Sequence, residues 1–262
     1  SSDFRVEYLE ATSKDGTKIP YSMVISKTAK RDGSNSTILY GYGGFELSTT
    51  PRYYSLISSS WLNRGGVFVI ASIRGGGEFG PQWHQAAQKE NKQRSYDDFI
   101  AVSEDLIQRG ICSSKTLGIK GGSNGGLLVG AAFTQRPDLY NAVVCSIPLL
   151  DMKRYSKLLA GASWMAEYGN PDIPEEWAYI KKYSPYHNLT KTNQYPKVLF
   201  QTTTRDDRVH PGHARKMAAK MKSLGHDVFY FENTEGGHGS GVTNEQQAFI
   251  NALVYTYYFK ML

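Results

Sequence analysis

Cysteine is scarce in this sequence, and the scarcity excludes a class. Two cysteines among 262 residues, Cys112 and Cys145, cannot build a disulfide framework, and neither stands in a metal-ligand spacing. Cys145 lies in the apolar run Ala142–Ile147, where a buried thiol is expected, so a reducing, cytoplasmic setting is the expectation. A periplasmic address would need a signal ahead of Ser1. No apolar run approaches the ~18 residues of a membrane span, so no membrane partner is expected. The start Ser1-Ser2-Asp3-Phe4-Arg5 carries neither an initiator Met nor a charged-then-apolar leader, as in a chain cut from a longer one. Dense basic tracts are missing too. Net charge is +6, but the Lys and Arg are scattered, which argues against a nucleic-acid partner. Neither an internal repeat nor a low-complexity linker is found, so one domain over residues 1–262 is expected.

What is present is a globular composition, 40% apolar and 21% charged. Short β-branched runs alternate with amphipathic stretches, the pattern of a mainly parallel, twisted sheet with helices on both faces. Strands are expected at Phe4–Thr12 and Lys18–Ser26, joined by the Asp15-Gly16 turn, then at Ser36–Tyr40, Gly66–Ile73, Thr116–Ile119, Ala142–Ile147, Lys197–Thr203 and Asp227–Glu232. Helical spacing appears over Asp97–Gln108 and Leu127–Thr134, and again from Ala214 to Leu224. A last helix is expected near Thr243, with Gln246 three residues on as a capping box. Residues 148–196, rich in Tyr, Trp and Pro, read as helices and loops over the carboxyl edge of the sheet, where open α/β sheets bind ligands.

Gly121-Gly122-Ser123-Asn124-Gly125 fits G-x-S-x-G, with a strand before it and a helix-compatible stretch after it. That setting is a nucleophile elbow: the serine sits on a strained turn, and glycines two before and two after relieve crowding. Its hydroxyl then stands at a helix N-terminus, where a developing oxyanion is favoured. The expectation is an α/β-hydrolase fold with Ser123 as nucleophile.

A serine hydroxyl needs a histidine to take its proton, and that histidine needs a carboxylate to fix its tautomer. In this fold the order is Ser, acid, His. His84 precedes the serine and is disfavoured by order; His213 and His226 flank a helix and read as surface or boundary residues; His210 reads as a loop or helix-start residue. His238, in Glu235-Gly236-Gly237-His238-Gly239-Ser240-Gly241 after the last strand, is the candidate base. The acid is Asp206 or Asp207, both following Lys197–Thr203. Asp206 is preferred, which leaves Asp207 to pair with an arginine or cap the next helix. Arg208 is either a partner for these acids or a cation facing substrate.

With these residues in hand, the chain resembles the prolyl oligopeptidase family. The likeness rests on Tyr40–Phe45, Ile73–Glu78, Gly121–Gly126, Gln135–Leu139, Asp206–Val209 and Gly237–Gly239, in family order along nearly the whole chain. The resemblance implies a triad of Ser123, Asp206 and His238, and an oxyanion hole from the Tyr42 hydroxyl and the Asn124 backbone N–H. It implies a proline pocket in which the ring stacks on Trp164, with Phe45, Leu149, Tyr168 and Val209 as walls. Arg208 then holds a substrate carbonyl one residue upstream. The implied activity is a serine endopeptidase cutting short proline-containing peptides after proline, with no metal or cofactor. The family normally carries a β-propeller that gates access, and an N-terminal segment; lacking any repeat of about 40–50 residues, this chain is expected to hold the catalytic domain without the propeller.

Other readings keep part of this evidence. Glu167, near Trp164, leaves room for a basic-specific peptidase, and an esterase would use the same triad. Gly75–Gly80 fits the G-x-G-x-x-G of dinucleotide-binding oxidoreductases, but Pro81 and a polar stretch follow instead of a tight helix start. A catalytically dead binding domain would not keep all three triad positions.

Overall fold

The computed structural model describes residues 3–51, 55–239 and 243–262. Eight strands make one sheet in the order β1-β2-β4-β3-β5-β6-β7-β8. They are β1 (Phe4–Thr12), β2 (Lys18–Ser26), β3 (Thr37–Tyr40), β4 (Val67–Ala71), β5 (Leu117–Gly122), β6 (Ala142–Ser146), β7 (Val198–Thr203) and β8 (Val228–Asn233). The β1–β2 hairpin and its junction with β4 are antiparallel, and every later pairing is parallel. Gly16 takes φ 88°, as the turn after Asp15 requires of a residue without Cβ.

The helices are α1 (Ser55–Ser60), α2 (Pro81–Gln85), α3 (Gln93–Gln108), α4 (Asn124–Gln135), α5 (Met165–Tyr168), α6 (Pro174–Tyr183), α7 (Pro185–Asn188), α8 (Gly212–Ser223) and α9 (Asn244–Met261). The central strands are apolar on both faces, and successive residues serve different cores. Val69, Val143, Cys145 and Phe200 face one side with Phe99, Leu128, Phe133 and Met217 from α3, α4 and α8. Phe68, Ile70, Val144 and Leu199 face the other with Trp61 and with Val254 and Tyr258 of α9. This period of two is the geometric consequence of strand pleating, and continuous apolar runs are what a sheet covered twice demands.

Helix α9 is fixed at its start and along its length. Thr243 and Gln246 form the expected capping box. Further along, the Tyr257 hydroxyl donates to the Lys197 carbonyl at 2.6 Å, and the Tyr258 hydroxyl donates to that of Ile119 at 2.7 Å.

Several expectations shift. Strand β5 runs on through Gly121 and Gly122 rather than ending at Ile119, and α4 starts at once after Ser123. Helix α3 begins at Gln93, four residues before the apolar spacing becomes visible. His213 is buried rather than at a boundary; its Nδ1 accepts the N–H groups of Leu150 and Asp151, each at 3.1 Å. After Gly75–Gly80 comes only the five-residue α2, too short to offer a phosphate the dipole of a full helix. Ser1 and Ser2, and Ser240 and Gly241 of the expected His238 loop, lie outside the described residues.

Candidate active site

Ser123 has φ 56° and ψ −117°, a conformation a non-glycine residue adopts only when its surroundings force it. The forcing is visible. A Cβ at Gly121 would sit 2.0 Å from the Gly125 carbonyl oxygen, and one at Gly125 would sit 2.9 Å from that of Gly41. The Ser123 N–H donates to the Ser146 carbonyl of β6 at 3.0 Å, fixing the turn to the sheet. Among the described residues no backbone acceptor takes the Asn124 N–H.

The loops after β7 and β8 bring the acid and base to this turn. His238 Nε2 lies 3.1 Å from Ser123 Oγ, and His238 Nδ1 lies 2.7 Å from Asp206 Oδ2. The other carboxylate oxygen of Asp206 accepts the N–H groups of Arg208 and Val209, each at 2.9 Å. Burial pushes this carboxyl up, but the hydrogen bonds from His238 and the two amides outweigh it and hold Asp206 below the usual carboxylate range. An ionised acid therefore faces Nδ1, leaving Nε2 for the serine. Asp206, not Asp207, is the residue brought to His238. Asp207 is exposed, without an ion pair among the described residues, and α8 has no side-chain cap, so neither role expected for it is found. His84 is bonded to Glu167 instead, at 2.7 Å, and His210 Nδ1 accepts the Gly212 N–H at the start of α8.

Tyr42 follows β3 and lies beside the elbow; a Cβ on Gly125 would touch its ring at 3.5 Å. Burial pushes its phenol up to about 12, with Tyr40 and Glu167 adding to the shift and the Arg208 guanidinium opposing it. The hydroxyl is thus a protonated donor at any physiological pH. Arg208 is exposed and makes no ion pair among the described residues, so it is not the partner of the adjacent acids.

The remaining residues gather on the same side. Phe45 packs edge-on against Tyr168 at 5.7 Å between ring centres. Leu149, Tyr168 and Val209 are buried, while Trp164 and Phe45 are half-buried and lie against the same core. Glu167 is not the open acidic group that a basic-specific pocket would need. It is buried, 3.1 Å from Lys92 Nζ and bonded to His84. Among the described residues no group of three or more His, Cys, Asp or Glu could hold a metal ion.

A model of the prolyl oligopeptidase family matches residues 52–262. The chain belongs to that family. An uncharacterized peptidase of Sinorhizobium fredii is 53% identical over 96% of this chain and 35% of its own length. A prolyl endopeptidase of Elizabethkingia miricola is 42% identical over 92% of this chain and 35% of its own. A post-proline cleaving enzyme from Rickettsia typhi superposes with a TM-score of 0.96 at 46% identity, over 99% of this chain and 38% of the other. The chain thus spans about a third of the length of the relatives it matches.

Two features of this candidate site carry no sequence signal of their own. The Asn124 side chain donates to the Tyr42 carbonyl at 2.8 Å and accepts from the Tyr168 hydroxyl, roles that the elbow motif leaves unspecified. Lys92 and Glu167 meet across 75 positions of sequence, and nothing local to either foretells the other.

Proposed function

We propose that this chain is the catalytic part of a serine endopeptidase that hydrolyses short peptides on the carboxyl side of proline. The hydrogen-bonded line Asp206–His238–Ser123 is the observation that carries it. Ser123 Oγ attacks the proline carbonyl carbon while His238 Nε2 takes the hydroxyl proton. Asp206 stabilises the imidazolium so formed. The Asn124 N–H and Tyr42 O–H donate to the oxyanion as it develops. The tetrahedral species collapses, His238 hands its proton to the leaving amine, and an ester on Ser123 remains. Water, deprotonated by His238, repeats the sequence and releases the acid.

The proline selectivity is supported by Trp164, whose half-buried indole offers a flat apolar face to a pyrrolidine ring and packs against the same core as Phe45 and Val209. Arg208, without an ion pair among the described residues, is the residue for the upstream carbonyl. A basic side chain would find no such support, because the Glu167 carboxylate is already matched by Lys92 and His84. The names borne by the relatives point the same way. A cytoplasmic location belongs to the proposal, supported only by two buried free thiols, Cys112 and Cys145.

Fluorogenic peptides ending in proline or arginine before the reporter group test the assignment on the full-length protein. Proline peptides should turn over at least about tenfold faster in kcat/KM, a difference of ~1.4 kcal/mol. Equal or arginine-favoured turnover would overturn the proline assignment and leave a peptidase of other specificity.

A further inference from the structure

The turn that carries Tyr42 is strained and is held from outside. Phe45 and Glu46 both lie in the left-handed region, at φ 54° and 57°, where side-chain-bearing residues stay only under restraint. Each restraint has a named source. Asn124 Nδ2 holds the Tyr42 carbonyl at 2.8 Å. Lys92 Nζ holds the Gly43 carbonyl at 2.9 Å, and Ser95 Oγ reaches the same oxygen at 3.3 Å. Glu167 Oε1 accepts the Phe45 N–H at 3.1 Å. Two of these holders, Lys92 and Glu167, are themselves a buried ion pair at 3.1 Å, with side-chain exposures of 1% and 3%. His84 Nε2 occupies the other Glu167 oxygen at 2.7 Å.

The pair also has a fixed address. Glu167 lies in α5, between Trp164 and Tyr168, while Lys92 stands at the start of α3, behind the Tyr42 turn. The ammonium therefore holds the Gly43 carbonyl and the carboxylate the Phe45 N–H, and the carboxylate belongs to the segment that carries Trp164 and Tyr168. Two charges so deeply buried cost solvation that only mutual pairing and further hydrogen bonds offset. Here those further bonds go to the turn and to His84, not to solvent.

We propose that Glu167 and Lys92 are positioning residues for catalysis, holding Tyr42 at the height where its hydroxyl meets the oxyanion and coupling that height to the pocket wall. Neither touches substrate. The inference rests on the reading of Tyr42 as an oxyanion donor. Its signature is a split in the kinetics, because an oxyanion contact is made in the transition state and only weakly in the bound ground state.

The test begins in the full-length protein with Tyr42→Phe, assayed on a proline peptide. Loss of kcat with little change in KM upholds the Tyr42 reading; unchanged kcat removes that reading and this inference with it. Glu167→Ala, which drops the hold on Phe45, should then lower kcat by about 10- to 100-fold with KM within about threefold, as expected when a catalytic donor shifts by an ångström or less. Affinity for a peptide aldehyde ending in proline, which forms an oxyanion on Ser123, should fall in step with kcat/KM. Glu167→Gln keeps an oxygen for the Phe45 N–H and should restore most of kcat. The double variant Lys92→Met with Glu167→Gln removes both buried charges, so its folding, checked by thermal melting, does not depend on an unpaired ion; it should retain less kcat than Glu167→Gln because Gly43 is released. Folded Glu167→Ala with wild-type kcat and aldehyde affinity overturns the inference. So does a folded double variant as active as the wild type.

Discussion

Asn124 is bonded through its side chain to the backbone carbonyl of Tyr42, at 2.8 Å. The residue whose N–H is proposed as one oxyanion donor thereby fixes the residue proposed to supply the other. The contact is tight: a Cβ on Gly44, two residues beyond Tyr42, would come within 2.4 Å of the same Asn124 nitrogen. Asn124 also accepts from the buried Tyr168 hydroxyl, so one side chain ties the elbow to both the Tyr42 turn and Tyr168.

Truncating that side chain tests the linkage. Asn124→Ala keeps the backbone N–H but leaves the Tyr168 hydroxyl and the Tyr42 carbonyl without this partner. Denaturant unfolding should show a loss of about 1–3 kcal/mol, the cost of stranding buried polar groups, together with a fall in kcat. Wild-type kcat in the folded variant would mean that Tyr42 keeps its place without Asn124.

Ser123→Ala and His238→Ala should each lower turnover on the order of 10⁶-fold, with the double variant scarcely worse, because the two act as one unit. Steady-state rates on a proline peptide read this directly. Additive losses would show that His238 does not act through Ser123.

For Trp164→Ala the informative readout is selectivity. Its loss should cost proline substrates about 1–3 kcal/mol in kcat/KM relative to substrates with a linear side chain at that position. A uniform decline over both sets would show that the indole only supports the core.

Acid sensitivity should trace in part to His213. Burial lowers its pKa from 6.5 to about 4 in the folded chain, so the unfolded chain binds this proton more readily. Stability from this group is fully present above about pH 6.5 and is lost as pH falls toward about 4, a contribution on the order of 3 kcal/mol. His213→Asn keeps an acceptor near the Nδ1 position for the Leu150 and Asp151 amides but cannot take up the proton. Its unfolding free energy should fall less steeply than the wild type's between pH 6.5 and 4. Identical slopes would remove His213 as a source of acid sensitivity.

The sequence by itself determined whatever is written in local pattern. Short β-branched and apolar runs placed eight strands, the central ones apolar because a doubly covered sheet needs apolar side chains on both faces and the first two joined by the Asp15-Gly16 turn. Gly121 and Gly125 around Ser123 gave away the elbow, since only glycine tolerates the contacts that a Cβ would make there. Chain order removed His84, and a glycine-rich loop after the last strand singled out His238. Asp206 and Asp207, one residue apart, could not be separated by residue physics; family likeness favoured Asp206, and the fold then turned its carboxylate toward His238 while leaving Asp207 in solvent. Tertiary structure alone decided the rest. His213 reads as a surface histidine until the loop after β6 folds over it, and Glu167 reads as an open acid until Lys92 arrives from α3. The reason is physical: a charge's meaning depends on its desolvation and its partner, and partners far apart in sequence leave no local pattern.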